Sequence, residues 1–445
     1  MNAPANDRAR AARHLVRIIV DGKTTDQTFG LDPVKQPSPL CQELVFGTLR
    51  YYFSLNEAVE KRLSKALRSK DLDLRLLMLV GAYQLRYTRI PDHAAINETV
   101  NACRPLRKPW ARSLVNAVLR SIAQDIDDDK TECSFELPDW ISDRINSAHP
   151  AVASDVMNGL LDRAPMSLRV NVSRTTPAEY KARLDEQNIS WQAGLVPEHI
   201  VLNTPVPAAQ LPGYAQGQVS IQDGGAILAS GLLDPERKLE QQSDCRILDA
   251  CAAPGGKLFH LAESVAPAEL VALEINSRRL EHLRSEAARL GFDSIRTLQA
   301  DATDTSWWDQ RTFDAILLDA PCSGVGTLRR HPDIKHLRKI DDLANYQQLQ
   351  LSLLRNLWRT LATEGTLLYC TCSLFQEEND NVVQQFLNET HDARAQLISA
   401  PVGQRTEHGW QLLPRPVNDA NLAASVDGFY YARLRKISDN QEQPG

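Results

Sequence analysis

Apolar residues recur at spacings of three and four through the first 124 positions, and alternate or cluster in short runs beyond about residue 165. In Arg13-His14-Leu15-Val16-Arg17-Ile18-Ile19-Val20 they form one helical stripe that stops at Gly22. Leu74, Leu77, Met78 and Leu85 form a second over 72–85, and 112–120 holds a third. These stripes predict an all-α segment over 1–130, closed by the solvated charge run Asp125-Ile126-Asp127-Asp128-Asp129. Leu168-Arg169-Val170-Asn171-Val172 alternates as a strand does. Pro177-Ala178-Glu179 opens a helix through Leu184, and Pro205, Pro207, Pro212 and Gly213 mark turns. A small α+β adaptor is therefore predicted over 135–240. From Arg246 onward, runs at 246–250, 270–274, 295–299, 313–318, 366–369 and 428–434 read as strands. Helical stretches separate them, the first opened by Lys257 and the next spanning 277–290. That alternation predicts a doubly wound, Rossmann-like α/β domain over 241–438.

Composition narrows the class. The chain has 445 residues, 43% hydrophobic and 24% charged, as ordinary globular proteins have. No apolar run approaches the ~20 residues of a membrane span. The N-terminal stretch lacks the apolar core of a secretory signal, so a cytoplasmic, monomeric protein with eight free thiols is expected. No CxxC pair is present, and no metal is expected. Net charge is −6, but residues 1–124 hold 20 Lys and Arg against 11 Asp and Glu, a balance of +9. A basic module on an acidic body is the footprint of a polyanion-binding attachment; the plainer alternative is a set of solvated basic helix faces.

Candidate chemistry gathers at the predicted strand ends. Cys251-Ala252-Ala253-Pro254-Gly255-Gly256-Lys257 follows the first strand, and its two glycines let backbone approach a ligand closely. It is not GxGxxG, which disfavours a dinucleotide. Glu274 ends the second strand, where it can accept from ribose hydroxyls, and Asp301 follows the third, where it can receive an adenine amino group. The series suits an adenosine ligand without phosphates, such as S-adenosylmethionine; alternatively both acids are helix N-caps. Asp319-Ala320-Pro321-Cys322 and Thr371-Cys372-Ser373 end later strands. A thiolate that adds to C6 of a pyrimidine activates C5 toward methylation, and an acid such as Asp319 can hold the N3 edge. Spacing alone leaves either Cys322 or Cys372 as the nucleophile. Cys251 and Cys370 read as small core residues.

Asp319-Ala320-Pro321-Cys322-Ser323-Gly324, Thr371-Cys372-Ser373 followed by Glu378-Asn379, and the Ala252–Lys257 loop together resemble the RNA cytosine-C5 methyltransferases of the RsmB/NOP (Sun) family. The resemblance extends to Gln222-Asp223 and to Asp427-Gly428-Phe429-Tyr430. It implies a class I fold using S-adenosylmethionine, with Cys372 as nucleophile and Cys322 assisting release. Glu274 stands where the family more often has Asp, and Cys370 where a small residue is common. Ile90-Pro91-Asp92-His93-Ala94-Ala95-Ile96-Asn97-Glu98 and Val115-Asn116-Ala117-Val118-Leu119-Arg120 resemble the NusB-like domain of the bacterial RsmB branch. That branch acts on small-subunit (16S) ribosomal RNA, which becomes the expected partner, naked or partly assembled. Arg329-Arg330-His331, Lys335, His336, Arg338 and Lys339 are expected to grip RNA phosphate, and Trp307-Trp308 to pack rather than stack on a base. The rival readings are a non-catalytic RNA-binding factor and a small-molecule methyltransferase. The intact cysteines and glycine loop argue against the first, and the paired cysteines and basic module against the second.

Overall fold

The computed structural model describes residues 6–30, 37–124, 136–233, 244–265, 267–417 and 422–438. The acidic run 125–129 lies outside the described residues. Two compact units emerge, Met1–Asn146 with Leu328–Arg338, and Ser147–Thr327 with Lys339–Gly445.

The first unit is helical: α1 (Asp7–Ile19), α2 (Thr25–Phe29), α3 (Pro39–Arg50), α4 (Tyr52–Glu60), α5 (Leu72–Tyr87), α6 (Asp92–Asn101) and α7 (Arg112–Gln124). α8 (Asp139–Ala148) spans the boundary between the units. Asn6 caps α1 by accepting from the Arg8 and Ala9 amides. The four apolar positions spaced along α5 understate its burial, because Leu76, Leu79, Val80 and Ala82 are buried as well. A helix apolar on all sides belongs at the centre of its bundle. α5 sits there, packed on α1, α3, α4, α6 and α7. Gly47 on α3 admits this packing, since a Cβ there would lie 1.9 Å from the Tyr83 ring.

The segment Leu328–Arg338 completes this unit and corrects an expectation. Arg329 and Lys335 are buried, so these two cations do not face RNA. Lys335 Nζ donates to the Arg50 and Glu136 carbonyls, each at 2.6 Å. Burial pulls Lys335 down to about 7 while the Glu136 carboxylate, 3.9 Å away, pulls it back; the two carbonyls use its protons in either state. Burial, then the charge of Lys335, pushes His336 down to about 3, so the ring is neutral and donates from Nε2 to the Leu49 carbonyl at 3.1 Å. Asp333 accepts from the Thr25 amide at 3.1 Å. Of the basic stretch, Lys339 is exposed and Arg330, His331 and Arg338 are half-buried. A run of positive charge in sequence does not reveal which members point inward.

The second unit contains two sheets. After α9 (Ala153–Leu161), strands β1 (Met166–Val170), β2 (Trp191–Ala193), β3 (His199–Leu202) and β4 (Val219–Ile221) form an antiparallel sheet in the order β2-β3-β1-β4. α10 (Pro177–Glu186) covers it, opened by a capping box between Thr176 and Glu179. α11 (Gly224–Leu233) is buried almost throughout and packs on the larger sheet, although the sequence places it within the adaptor.

The larger sheet comprises β5 (Arg246–Asp249), β6 (Glu269–Glu274), β7 (Arg296–Gln299), β8 (Phe313–Asp319), β9 (Leu361–Thr371), β10 (Ala393–Gln396), β11 (Gln404–Arg405), β12 (Trp410–Leu412) and β13 (Phe429–Lys436). The order is β11-β12-β13-β9-β8-β5-β6-β7, with β10 beside β13. β9, β8, β5, β6 and β7 run parallel, and β13 is antiparallel to β9. Helices α12 (Gly256–Ser264), α13 (Ser277–Leu290), α14 (Asp342–Trp358) and α15 (Asp380–Glu389) complete the domain. Because β5 lies between β6 and β8, the connections diverge there, and ligands bind such sheets beyond the strand carboxyl ends. Trp307 packs near Phe313 with ring centroids 6.3 Å apart, as expected of a packing residue. Among the described residues, no helix is long and apolar enough to cross a membrane, and no cluster of His, Cys, Asp or Glu could hold a metal ion.

Lys335→Met should lower stability by about 1–3 kcal/mol, because two buried carbonyls lose their donor. Urea unfolding measures that loss. The same variant should leave the salt dependence of RNA binding unchanged, whereas a phosphate-gripping lysine would lower the slope by about 1.

Candidate active site

Five strand ends carry the candidate residues. The loop after β5 turns sharply at Gly255, whose φ of +108° is costly for any residue with a side chain. A Cβ there would also lie 2.3 Å from the Phe259 ring. The Ala252 amide donates to the Leu273 carbonyl at 2.9 Å, and Arg279 donates to the Ala253 carbonyl. From below, buried Arg169 of β1 donates to the Gly256 carbonyl at 2.5 Å. It also pairs with Glu263 through Nε at 2.9 Å and Nη2 at 2.6 Å, and donates to Gln222 Oε1. The antiparallel sheet thus braces the glycine loop. Arg169 was not among the sequence-predicted site residues, since an arginine in an alternating strand reads as facing solvent. The buried strand pattern around it is visible only in the fold.

Glu274 is 4% exposed, accepts from the Asn276 amide at 2.8 Å and pairs with Arg279 at 3.3 Å. Asn276, not Glu274, caps α13. Asp301 is exposed and accepts from the Thr303 amide at 2.8 Å and hydroxyl at 2.7 Å, which makes it the head of a turn rather than a helix cap.

Lys257, buried at the start of α12, reaches Asp319 at the end of β8, with Nζ–Oδ2 2.6 Å. Burial alone would lower this ammonium; Asp319 reverses that and raises it. Cys322 and Cys372 lie just beyond the ends of adjacent β8 and β9, with their sulfurs 3.3 Å apart. The Cys372 amide also points at Cys322 Sγ, at 3.3 Å. The hydrogen bond with Cys372, then burial, pushes the Cys322 thiol well up. Cys370 is fully buried, and burial holds it as a thiol. Burial and the carboxylates of Asp249 and Asp319 do the same for Cys251. Hydrogen bonds hold the remaining motif residues. Asn379 accepts from Thr371 Oγ1 at 2.6 Å and donates to Gln411 at 3.0 Å. Asp223 accepts from the Asp427 amide at 3.1 Å, joining two motifs more than 200 residues apart in sequence.

Comparison with known proteins adds to this geometry. Residues 236–435 match the 16S rRNA methyltransferase RsmB/F family, 5–124 the NusB family, and 137–209 the ferredoxin-like domain of RsmF/B-like methyltransferases. The ribosomal RNA small subunit methyltransferase B of Shewanella oneidensis is 39% identical over 90% of this chain and 91% of its own. The probable ribosomal RNA small subunit methyltransferase B of Coxiella burnetii is 40% identical over 97% and 99%. The chain belongs to the RsmB/F family. It is an rRNA methyltransferase with a NusB domain, a ferredoxin-like domain and a C-terminal methyltransferase domain. Its fold is shared with the crystal structure of PH0851, TM-score 0.79 at 21% identity, covering 98% of this chain and 100% of that one. NSun6 from Pyrococcus horikoshii, crystallised with SFG, gives 0.59 at 18% identity over 68% of this chain and 99% of its own.

One buried acid in this methyltransferase domain reports on pH. Asp249 is 1% exposed, and burial, then repulsion from Asp319, pushes it up to about 7. An acid whose folded pKa is raised contributes stability below its unfolded value, near 4, and loses it as pH rises through about 7. Asp249→Asn keeps an oxygen for the Cys251 amide and cannot ionise. Its thermal midpoint should therefore exceed that of the wild type at pH 8, and the gap should close toward pH 5. A pH-independent gap would show that Asp249 does not titrate in this range.

Proposed function

We propose that this enzyme uses S-adenosylmethionine to methylate C5 of a cytosine in 16S ribosomal RNA, giving 5-methylcytosine through a covalent adduct at C6. The observation that carries the reading is the 3.3 Å separation of Cys322 and Cys372 at the ends of adjacent strands, on the same sheet edge as Glu274 and the glycine loop. A cytosine carbon is a poor nucleophile. Addition of the Cys372 thiolate to C6 pushes the C5–C6 electron pair onto C5, which can then take a methyl group. S-adenosylmethionine, when bound, supplies that methyl group. Loss of the C5 proton to a base and departure of the Cys372 sulfur restore the ring. Cys322, held as a thiol next to the departing sulfur, can return a proton to it. Asp319 has one oxygen on Lys257 while its side chain is 34% exposed, which leaves it able to meet the pyrimidine N3 edge.

Cys251–Lys257 would hold the cofactor, with Glu274 on the ribose and Asp301 on the adenine. The fit rests on Gly255, where no side chain is tolerated, and on Glu274, whose capping duty Asn276 has taken. The NusB-like unit would bind the RNA, naked or in a partly assembled subunit, and the protein would act as a cytoplasmic monomer.

Glu274→Ala should weaken S-adenosylmethionine binding by about 1–3 kcal/mol, the cost of hydrogen bonds lost to a buried polar ligand. Calorimetry at wild-type affinity for both Glu274→Ala and Asp301→Ala would remove these acids from the cofactor site.

The thiols separate on a denaturing gel after incubation with cofactor and unmodified 16S RNA. Cys372→Ala should form neither adduct nor 5-methylcytosine. Cys322→Ala should attack and methylate, then stall as a slow-migrating protein–RNA band. The opposite pattern would make Cys322 the nucleophile, and activity retained in both without any band would exclude the covalent route.

A further inference from the structure

Glu378 touches both cysteine loops. Its side chain is fully buried, with Oε1 accepting from the Ser323 amide at 2.6 Å. Its Oε2 accepts from Ser323 Oγ at 2.6 Å and from Ser373 Oγ at 2.5 Å. Ser323 follows Cys322 and Ser373 follows Cys372, so one carboxyl group grips the residue beside each sulfur. The backbone that presents Glu378 is anchored too. Tyr369, on β9, donates its hydroxyl proton to the Glu378 carbonyl at 2.6 Å. The neighbouring Asn379 donates to the Ser373 carbonyl at 3.2 Å. Across the gap, Gln350 of α14 donates to the Pro321 carbonyl at 2.9 Å, one residue before Cys322.

A buried carboxyl group is costly unless donors satisfy it, and hydrogen bonds to such a group are short and directional. Three donors drawn from two loops fifty residues apart satisfy this one. Oε2 alone accepts from both loops, so they cannot separate there without breaking one of its bonds. We propose that Glu378 is a positioning residue that sets the spacing of Cys322 and Cys372. This rests on the proposed roles of the two thiols for its purpose in catalysis, although the spacing itself can be read without RNA or cofactor.

Phenylarsine oxide provides that reading. It bonds to two close thiols at once, forming one arsenic–sulfur bond to each while the two thiol protons leave with the arsenical oxygen as water; nothing is oxidised. On the full chain, capture is followed by intact mass after a monothiol wash that strips singly attached reagent. Cys322→Ala and Cys372→Ala define the background from the other cysteines. Glu378→Ala should slow capture and single-turnover methylation by about tenfold or more, as loosened alignment of two reacting groups does. Its S-adenosylmethionine affinity, measured by calorimetry, should stay at the wild-type value, which shows that the fold and cofactor loop persist. Glu378→Gln has the same length and can still bridge the two serines, so it should recover most of the capture.

Capture by Glu378→Ala at the wild-type rate would overturn the proposal. If that variant does not fold, Ser323→Ala and Ser373→Ala each remove one leg of the bridge. Both should slow capture, and wild-type rates in both would overturn the proposal equally. Slowed capture together with failure of the covalent-adduct gel would leave the bridge standing and reject the C5 mechanism instead.

Discussion

A single buried ammonium allows the acidic strand ends to crowd together. Asp249, Asp319 and Glu274 all end parallel strands of one sheet, and their mutual repulsion is felt at Asp249. Lys257 stands among them, 2.6 Å from Asp319 and with its Nζ 5.0 Å from the centre of the Phe429 ring. Lys257, with its side chain 9% exposed, depends on Asp319 for a counter-charge, while Asp319 itself stays 34% exposed. The pair also joins the loop after β5 to the end of β8, which leads into the Cys322 turn. Glycine loop and cysteine turn are therefore tied by the same contact that makes their charges tolerable.

The ferredoxin-like sheet contributes to that arrangement through Arg169. Its guanidinium is completely buried and spends its donors on Glu263, Gln222 and the Gly256 carbonyl. Gly256 begins α12, so the loop is tied to the small sheet through Arg169 and to the end of β8 through Lys257. The small sheet is thus a structural part of the second unit, which agrees with their forming one compact body.

Much of this was legible in sequence because parallel sheets write their sites locally. An apolar run ending in an acid or a Pro-Cys or Thr-Cys turn marks a strand end, and α13 ran over the expected residues, Ser277–Leu290. Burial of charge was not legible. Lys335, Arg329 and His336 look like a basic face in one dimension and turn inward in three. Arg169 fits an alternating strand whichever way it points. Glu378 was visible only as a neighbour of the Thr-Cys motif, since its partners Ser323 and Ser373 come from two separate turns. α11 escaped its proper domain because an all-round apolar helix carries no periodicity to show which sheet it covers. The two-residue strand β11 is too short for any pattern to register.

The discontinuity of the first unit has a consequence for how this protein can be taken apart. Leu328–Arg338 belongs to that helical body although it lies some two hundred residues downstream, within the methyltransferase half of the chain. A cut after α7 would leave Lys335 without its acceptor at Arg50, and Asp333 without Thr25. The NusB-like part is consequently not a severable appendage. Splitting the gene after α7 would yield two fragments, each carrying a wound, and any activity lost would report that wound as well as the missing part. Point substitutions on the exposed helix faces separate the two effects where deletion cannot.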